Sequence, residues 1–317
     1  MLIMVLMHTA TRALVLAAAL SVTACGSPDT AASGSTSTAR GELSVVASFY
    51  PLQFVAERIG GDAVDVASLT KAGAEPHDLE LTPKDVASLA DTDLVIYLKG
   101  FQPAVDEAVA GQAADRALDV TDAADLDLTY TPIEEGVEVA DEAGATDPHF
   151  WLDPQRLRAV AKSVADRLTA AAPASSGVFA ANLKKLDADL ATLDTDIDKG
   201  LATCKSRVLV TSHNAFGYLS RRYDLKQVGI TGLSPDAEPN AGQVAEVTRF
   251  VRQHKVRTIY YETLVSPAVA DTIAADAGAT TAVLDPLEGL NDQSQGKDYL
   301  SVMRANLANL RKGQECS

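Results

Sequence analysis

The 317-residue chain is short of basic charge, of cysteine and of histidine: 27 Lys and Arg stand against 43 Asp and Glu, with three cysteines and five histidines. The resulting formal charge of −16 argues against nucleic acid as a partner, because phosphate binding draws its affinity from Lys and Arg, and mildly favours a cation as cargo. A solvated acidic surface explains the same balance. The cysteines stand far apart, without the paired local ligands of a zinc knuckle. The chain also lacks HExxH, GxSxG and a Gly-rich phosphate loop, which removes the common signatures of metalloproteases, esterases and nucleotide-binding enzymes.

What is present begins with one basic residue, Arg12, an apolar run from Ala13 to Val22, and small residues up to Cys25. The run is too short to span a bilayer permanently, and this order of features predicts a secretory signal over residues 1–24. "VTAC" resembles the lipobox of bacterial lipoproteins, which implies lipidation of Cys25 and an extracytoplasmic chain anchored to the cell membrane; plain secretion is the alternative. Residues 25–41, with "SGSTSTAR", read as a flexible tether. If the lipid occupies Cys25, then Cys204 and Cys316 remain as a disulfide pair in an oxidising compartment, pinning the C-terminus.

Beyond the tether, "ELSVVASF", "AVDVASLT" and "DLVIYLKG" read as strands, and "PLQFVAERIG" and "TPKDVASLA" as helices. The style returns in "RVLVTS", "LKQVGITGL", "VRTIYYETL" and "TTAVLDPL", with "AFGYLSRRYD", "NAGQVAEVTRFVRQH" and "SPAVADTIAADAG" between them. This alternation predicts two α/β lobes with mostly parallel sheets, and about 290 residues suffice for two cores. Phe179, Leu183, Leu186, Leu190, Leu193, Ile197 and Leu201 recur at steps of three and four, which predicts one long amphipathic helix bridging the lobes. The expected division is 42–175 for the N-terminal lobe, 176–202 for the linking helix and 203–317 for the C-terminal lobe. The acidic stretch 134–146 reads as a loop and contains no histidine.

His8 belongs to the signal, and His254 sits in a basic helix end suited to a structural role. His77 in "AEPHDLEL", His149 in "DPHFWLDP" and His213 in "TSHNAFGYL" occupy expected loops or strand ends, and Asp285 in "TTAVLDPL" ends a strand before a proline. These four positions are spaced by 72, 64 and 72 residues, as if each lobe contributed two. Ligands of open α/β sheets bind beyond the carboxyl ends of the strands, so the four can converge in a cleft between lobes. Taken singly, each histidine reads equally as a loop or packing residue. Taken together, three imidazoles and a carboxylate suit tetrahedral zinc.

"GAEPHDLELTPKDVASLADTDLVIYLKG", "DPHFWLDPQRLRAVAKSVADRL", "VLVTSHNAFGYLSRRYDLKQVGITGLSPDAEPNAGQV" and "AVLDPLEGL" resemble, in this order, the metal-binding solute-binding proteins of ABC importers, particularly the zinc-binding ZnuA type. The resemblance implies two α/β lobes joined by a long rigid helix, with the ion held in the cleft by His77, His149, His213 and Asp285. It implies zinc as the transported ion, because manganese binders of this family carry glutamate where His213 stands; a manganese or other divalent-metal carrier of the same class is the alternative, since a nitrogen-rich site also takes copper, nickel or cobalt. It also implies a monomeric binding protein, not an enzyme, whose partners are the permease and ATPase subunits of an importer. Glu262 in "YYETL" is either a partner behind a ligand or an unrelated strand-end charge, and Trp151 is expected to pack beneath the His149 loop. Two rival functions are a surface adhesin and a zinc hydrolase. A catalytic zinc keeps an open position, however, and Ser212 should point to the opposite face from His213.

Overall fold

The computed structural model describes residues 42–131 and 144–317; the expected signal, the tether with Cys25 and most of the acidic stretch lie outside the described residues. The first lobe runs β1 (Leu43–Ala47), α1 (Tyr50–Gly60), β2 (Val64–Ser68), α2 (Pro83–Ser88), β3 (Leu94–Tyr97), α3 (Pro103–Gln112), β4 (Ala117–Asp119), α4 (Thr121–Ala124) and α5 (Pro154–Ala171). The long helix α6 (Ser176–Leu201) follows. The second lobe runs β5 (Val208–Thr211), α7 (Gly217–Arg222), β6 (Lys226–Gly229), α8 (Ala241–Gln253), β7 (Thr258–Tyr261), α9 (Ala268–Ala277), β8 (Thr280–Val283) and α10 (Tyr299–Gly313).

Both sheets are parallel throughout, in the orders β2-β1-β3-β4 and β6-β5-β7-β8, so one doubly wound topology occurs twice. Short apolar strands make this possible, because alternate side chains leave opposite faces and both faces are covered. Val45, Ala47, Leu94 and Ile96 enter one shared core, while Val46 and Val95 enter a separate outer core with Val105 and Val109 of α3. The second sheet repeats the division: Leu209 and Tyr260 face the shared core, and Val210 and Ile259 the outer core with Val247, Val251 and Ile273. In each sheet the winding reverses beside the central strand, between β1 and β3 and between β5 and β7, and that reversal opens a crevice at the carboxyl ends.

Helix α6 has 26 residues, about 39 Å at 1.5 Å per residue. Of its seven periodic positions, Phe179, Leu186, Leu190, Leu193, Ile197 and Leu201 are buried in the shared core and Leu183 packs against it. Each fully buried leucine-sized side chain contributes roughly 1.5–3 kcal/mol. The helix packs on α1 and α5 from the first lobe and on α10 from the second. A disulfide joins Cys204 to Cys316, fixing the residues after α10 to those after α6.

Polar contacts on α6 and beside it also join the lobes. Asp194 accepts from Gln155 Nε2 of α5 at 2.7 Å, from Arg222 Nε and Nη2 at 2.5 and 2.8 Å, and from the Tyr223 hydroxyl at 2.9 Å. Asp127 accepts at 2.7 Å from Arg156 of the first lobe and from Arg221 of the second. Burial alone would raise the Asp194 carboxyl, but its bonds to Arg222, Gln155 and Tyr223 outweigh it and hold the group below its ordinary value. A lowered folded pKa stabilises the fold at pH values above the ordinary aspartate value of about 3.9, and the contribution is lost as pH falls through the lowered value. Asp194→Asn should therefore cost about 2 kcal/mol near pH 7, where an ionised acceptor is removed. Thermal melts from pH 7 down to 3 should show the gap between wild type and variant narrowing only at the acid end.

Candidate metal centre

His77 lies on the loop after β2, which Gln102, at the start of α3, holds by donating to the Pro76 carbonyl at 3.1 Å and to Thr70 Oγ1 at 3.0 Å. His149 precedes the turn Phe150–Leu152, and Asp153 then caps α5 through the Gln155 amide at 2.9 Å. His213 follows β5, where its carbonyl accepts from Thr211 Oγ1 at 2.6 Å and from Gln227 Nε2 at 3.1 Å. All three loops open at the same cleft. His149 and His213 are buried to within 1% of full burial.

The fourth inward side chain is Glu288, not Asp285. Glu288 Oε1 lies 3.2 Å from His77 Nε2, 3.0 Å from His149 Nε2 and 3.2 Å from His213 Nε2, and the first two nitrogens are 3.3 Å apart. A tetrahedral zinc with bonds of about 2.0 Å needs ligand atoms about 3.3 Å apart, since a tetrahedron's edge is about 1.63 times its centre-to-vertex length. Glu288 and the three histidines form the one group of potential metal-holding residues among those described.

Asp285 lies two residues beyond the end of β8 and serves the backbone. Its Oδ1 accepts from the Leu287 amide at 2.8 Å, its Oδ2 from Thr263 Oγ1 at 3.2 Å, and Asn306 brackets its main chain at 2.9 and 2.7 Å. Leu287 then takes φ 60°, a left-handed conformation rare for leucine, and this reversal turns Glu288 into the cleft. Burial pushes the Asp285 carboxyl up to about 6, in spite of the Leu287 amide.

Behind two of the imidazoles stand carboxylates. Asp147 Oδ1 is 2.8 Å from His149 Nδ1, and Glu262 Oε1 is 2.8 Å from His213 Nδ1. With Nδ1–H donated backward, each Nε2 presents its lone pair to the cleft, which is how partners behind a ligand fix its tautomer. Glu262 thus stands directly behind the His213 ring. Asp147 was not anticipated, although an acid two residues before a histidine, in "DPH" and again in "EPH", is a visible signal. Gly217 makes room for it: a Cβ there would come within 2.4 Å of Asp147 Oδ2.

The cleft holds more carboxylate oxygens than donors. Glu75 Oε1, Glu262 Oε2 and Glu288 Oε2 are buried without a hydrogen-bond partner among the described residues, an arrangement that calls for positive charge, as a metal ion or a proton. Burial lowers the basicity of His149 and His213, but Asp147 and Glu288 for the first, and Glu262 and Glu288 for the second, outweigh it and raise both. At His77 burial wins and lowers it. Glu288 is held well below its ordinary value against its own burial by His213 and the other imidazoles. Burial and the charge of Glu288 push Glu75 up to about 8.

Other expected residues also find their places. Trp151 is fully buried beside the His149 ring at 5.2 Å between centroids and donates to the Pro286 carbonyl at 2.7 Å. His254 ends α8 and stacks on Phe250 at 4.1 Å. Ser212 Oγ bonds the Tyr260 carbonyl at 3.4 Å while the His213 ring meets two glutamates, so no hydroxyl is paired with that imidazole.

The family described as "Zinc-uptake complex component A periplasmic" matches residues 45–313. The "High-affinity zinc uptake system protein ZnuA" of Bacillus subtilis is 35% identical over 299 residues, covering 92% of this chain and 93% of that protein. The "Zinc-binding lipoprotein AdcA" of Streptococcus pneumoniae is 37% identical over 286 residues, 86% of this chain, which spans only 56% of that longer protein. The solved Zn(II)-bound ZnuA-like domain of the same pneumococcal protein superposes with a TM-score of 0.72 at 35% identity, covering 87% of this chain and all of that one.

Asp285→Ala leaves the buried Leu287 amide and Thr263 hydroxyl without their acceptor, and should cost about 2–3 kcal/mol. In a chain of this size that lowers the melting temperature of the metal-free protein by several degrees, measurable by calorimetry.

Proposed function

Because the chain belongs to the family of the periplasmic zinc-uptake complex component A, we propose that it captures one zinc ion outside the cytoplasm and delivers it to the permease and ATPase of an ABC importer. Such a protein is a binding component of a transport system, not an enzyme. The observation that carries the reading is the set of four inward atoms, three nitrogens and one oxygen from two lobes, all within 4.8 Å of one another and with the carboxylate oxygen 3.0–3.2 Å from each nitrogen.

Zinc fits this donor set. Imidazole nitrogen suits zinc, whereas manganese prefers oxygen, and His213 supplies nitrogen at the position that separates the two classes in the resemblance. The ligands we propose are His77, His149, His213 and Glu288, with Asp147 and Glu262 orienting two of the imidazoles. Asp285 shapes the loop that presents Glu288. Four protein ligands close the shell, which suits carriage of an ion and leaves no position for an activated water. Lipidation at Cys25 and a monomeric state belong to the same proposal: the lipid would hold the carrier at the membrane, and the two lobes already supply every ligand from one chain.

Calorimetric titration with zinc tests the assignment. Glu288→Gln and His213→Ala should each weaken binding by at least tenfold, whereas Asp285→Asn, which keeps an acceptor oxygen, should change it by less than about threefold. Equal losses in Glu288→Gln and Asp285→Asn would remove Glu288 from the ligand set. Saturating zinc should raise the melting temperature, the stabilisation growing by about 1.4 kcal/mol for each tenfold excess over the dissociation constant. Manganese at the same concentration should give a smaller rise.

A further inference from the structure

The three imidazoles are not equivalent. His149 and His213 are locked from behind by carboxylates at 2.8 Å, but His77 Nδ1 has no hydrogen-bond partner among the described residues. The His77 side chain is also the most exposed of the three, at 10% against 0% and 1%. What steadies its ring is the edge of Phe101, 4.7 Å away between centroids. A ligand held by packing alone can rotate out of the shell with less resistance than one held by a hydrogen bond on its far side.

Beside it stands a carboxylate with one oxygen clamped and one unused. Glu75 Oε2 accepts from the backbone amides of His77 at 2.9 Å and Asp78 at 3.3 Å. Its Oε1 is buried, has no hydrogen-bond partner among the described residues, and lies 3.9 Å from His77 Nε2, the nitrogen that faces the cleft. Comparison with the other acid-Pro-His segment explains the placement. Asp147 accepts from the His149 amide at 2.9 Å in the same way, but its shorter side chain holds Nδ1, behind the ring. The extra methylene of Glu75 carries its free oxygen to the opposite, metal-facing side. A buried carboxylate oxygen with no donor is unfavourable unless a proton or a metal ion visits it.

We propose that Glu75 is an exchange ligand: its Oε1 takes the ion's coordination position as His77 Nε2 gives it up, so that the closed shell opens by substitution of one ligand. In this step one metal–nitrogen bond breaks, one metal–oxygen bond forms, and any proton on Glu75 Oε1 passes to the freed His77 Nε2, 3.9 Å away. The proposal rests on the zinc reading above, and it supplies what a carrier with four protein ligands needs, a way to surrender its ion without first leaving it three-coordinate.

The test is a double-mutant cycle in the full-length protein, with zinc affinity from competition titration and dissociation rate from stopped-flow mixing with a chelator. Glu75→Gln keeps an acceptor for the two amides, and a melting temperature close to wild type checks that the loop is intact. In wild type, Glu75→Gln should change affinity by less than about threefold yet slow zinc dissociation by about tenfold. In His77→Ala, where Glu75 becomes a standing ligand, adding Glu75→Gln should weaken zinc by at least a further tenfold, a strong departure from additivity. Glu75→Asp retains the charge but not the reach, and should behave like Glu75→Gln. Additive effects in the cycle, an unchanged dissociation rate, or full rescue by Glu75→Asp would each overturn the proposal. Failure of the wild-type protein to bind zinc would instead sink the zinc reading itself.

Discussion

Everything in this molecule turns on the convergence of two side chains from each lobe onto one point: His77 and His149 from the first, His213 and Glu288 from the second. Three imidazole nitrogens lie within 3.0–3.2 Å of one carboxylate oxygen, and carboxylates press from behind on two of the rings. Such a cluster concentrates negative charge in a buried place, and the arrangement is stable when the cleft draws in compensating positive charge. The preference for a cation is therefore built into the donor count before any particular metal is considered.

Holding that point requires the lobes to be fixed relative to each other, and the fold does so at several depths. The apolar face of α6 belongs to a core shared with α1, α5 and α10. Nearer the cleft, Trp151 of the first lobe donates to Pro286 of the second, and the Tyr299 hydroxyl returns a bond to the Trp151 carbonyl at 2.6 Å. The Tyr218 hydroxyl donates to the Asp147 carbonyl at 3.0 Å, and the contact of Asp147 with Gly217 sets the first lobe's acid directly on the second lobe's helix. Because Asp147 also orients His149, the packing between lobes and the aim of a cleft imidazole are parts of one contact.

The repeated βα alternation and the step of three and four along α6 were plain in the amino-acid sequence, because both follow from local periodicity. The three histidines stood out for a similar reason: each sits where a strand or turn delivers a polar residue to a loop. Helices α3, α5 and α10 are not among the elements read from the sequence, and neither is the identity of the fourth inward residue. The strand-end rule selects Asp285, but the left-handed turn at Leu287 reverses the chain and brings in the residue three positions later. Nothing in local pattern announces a positive φ at a leucine; it goes with the Asp285 carboxylate taking the Leu287 amide and with Asn306, whose bonds to Asp285 exist only once α10 has packed. Glu75 and Asp147 lie in nearly identical tripeptides, yet a difference of one methylene sends their oxygens to opposite sides of the neighbouring rings.

The central claim is the composition of the metal's shell, and X-ray absorption spectroscopy of the zinc-loaded protein at the zinc edge reads it most directly. The account predicts four light ligands at about 2.0–2.1 Å, with the multiple-scattering signature of three imidazoles and no sulfur. A shell with fewer than three imidazoles, or one completed by several waters in an expanded octahedron, would contradict it.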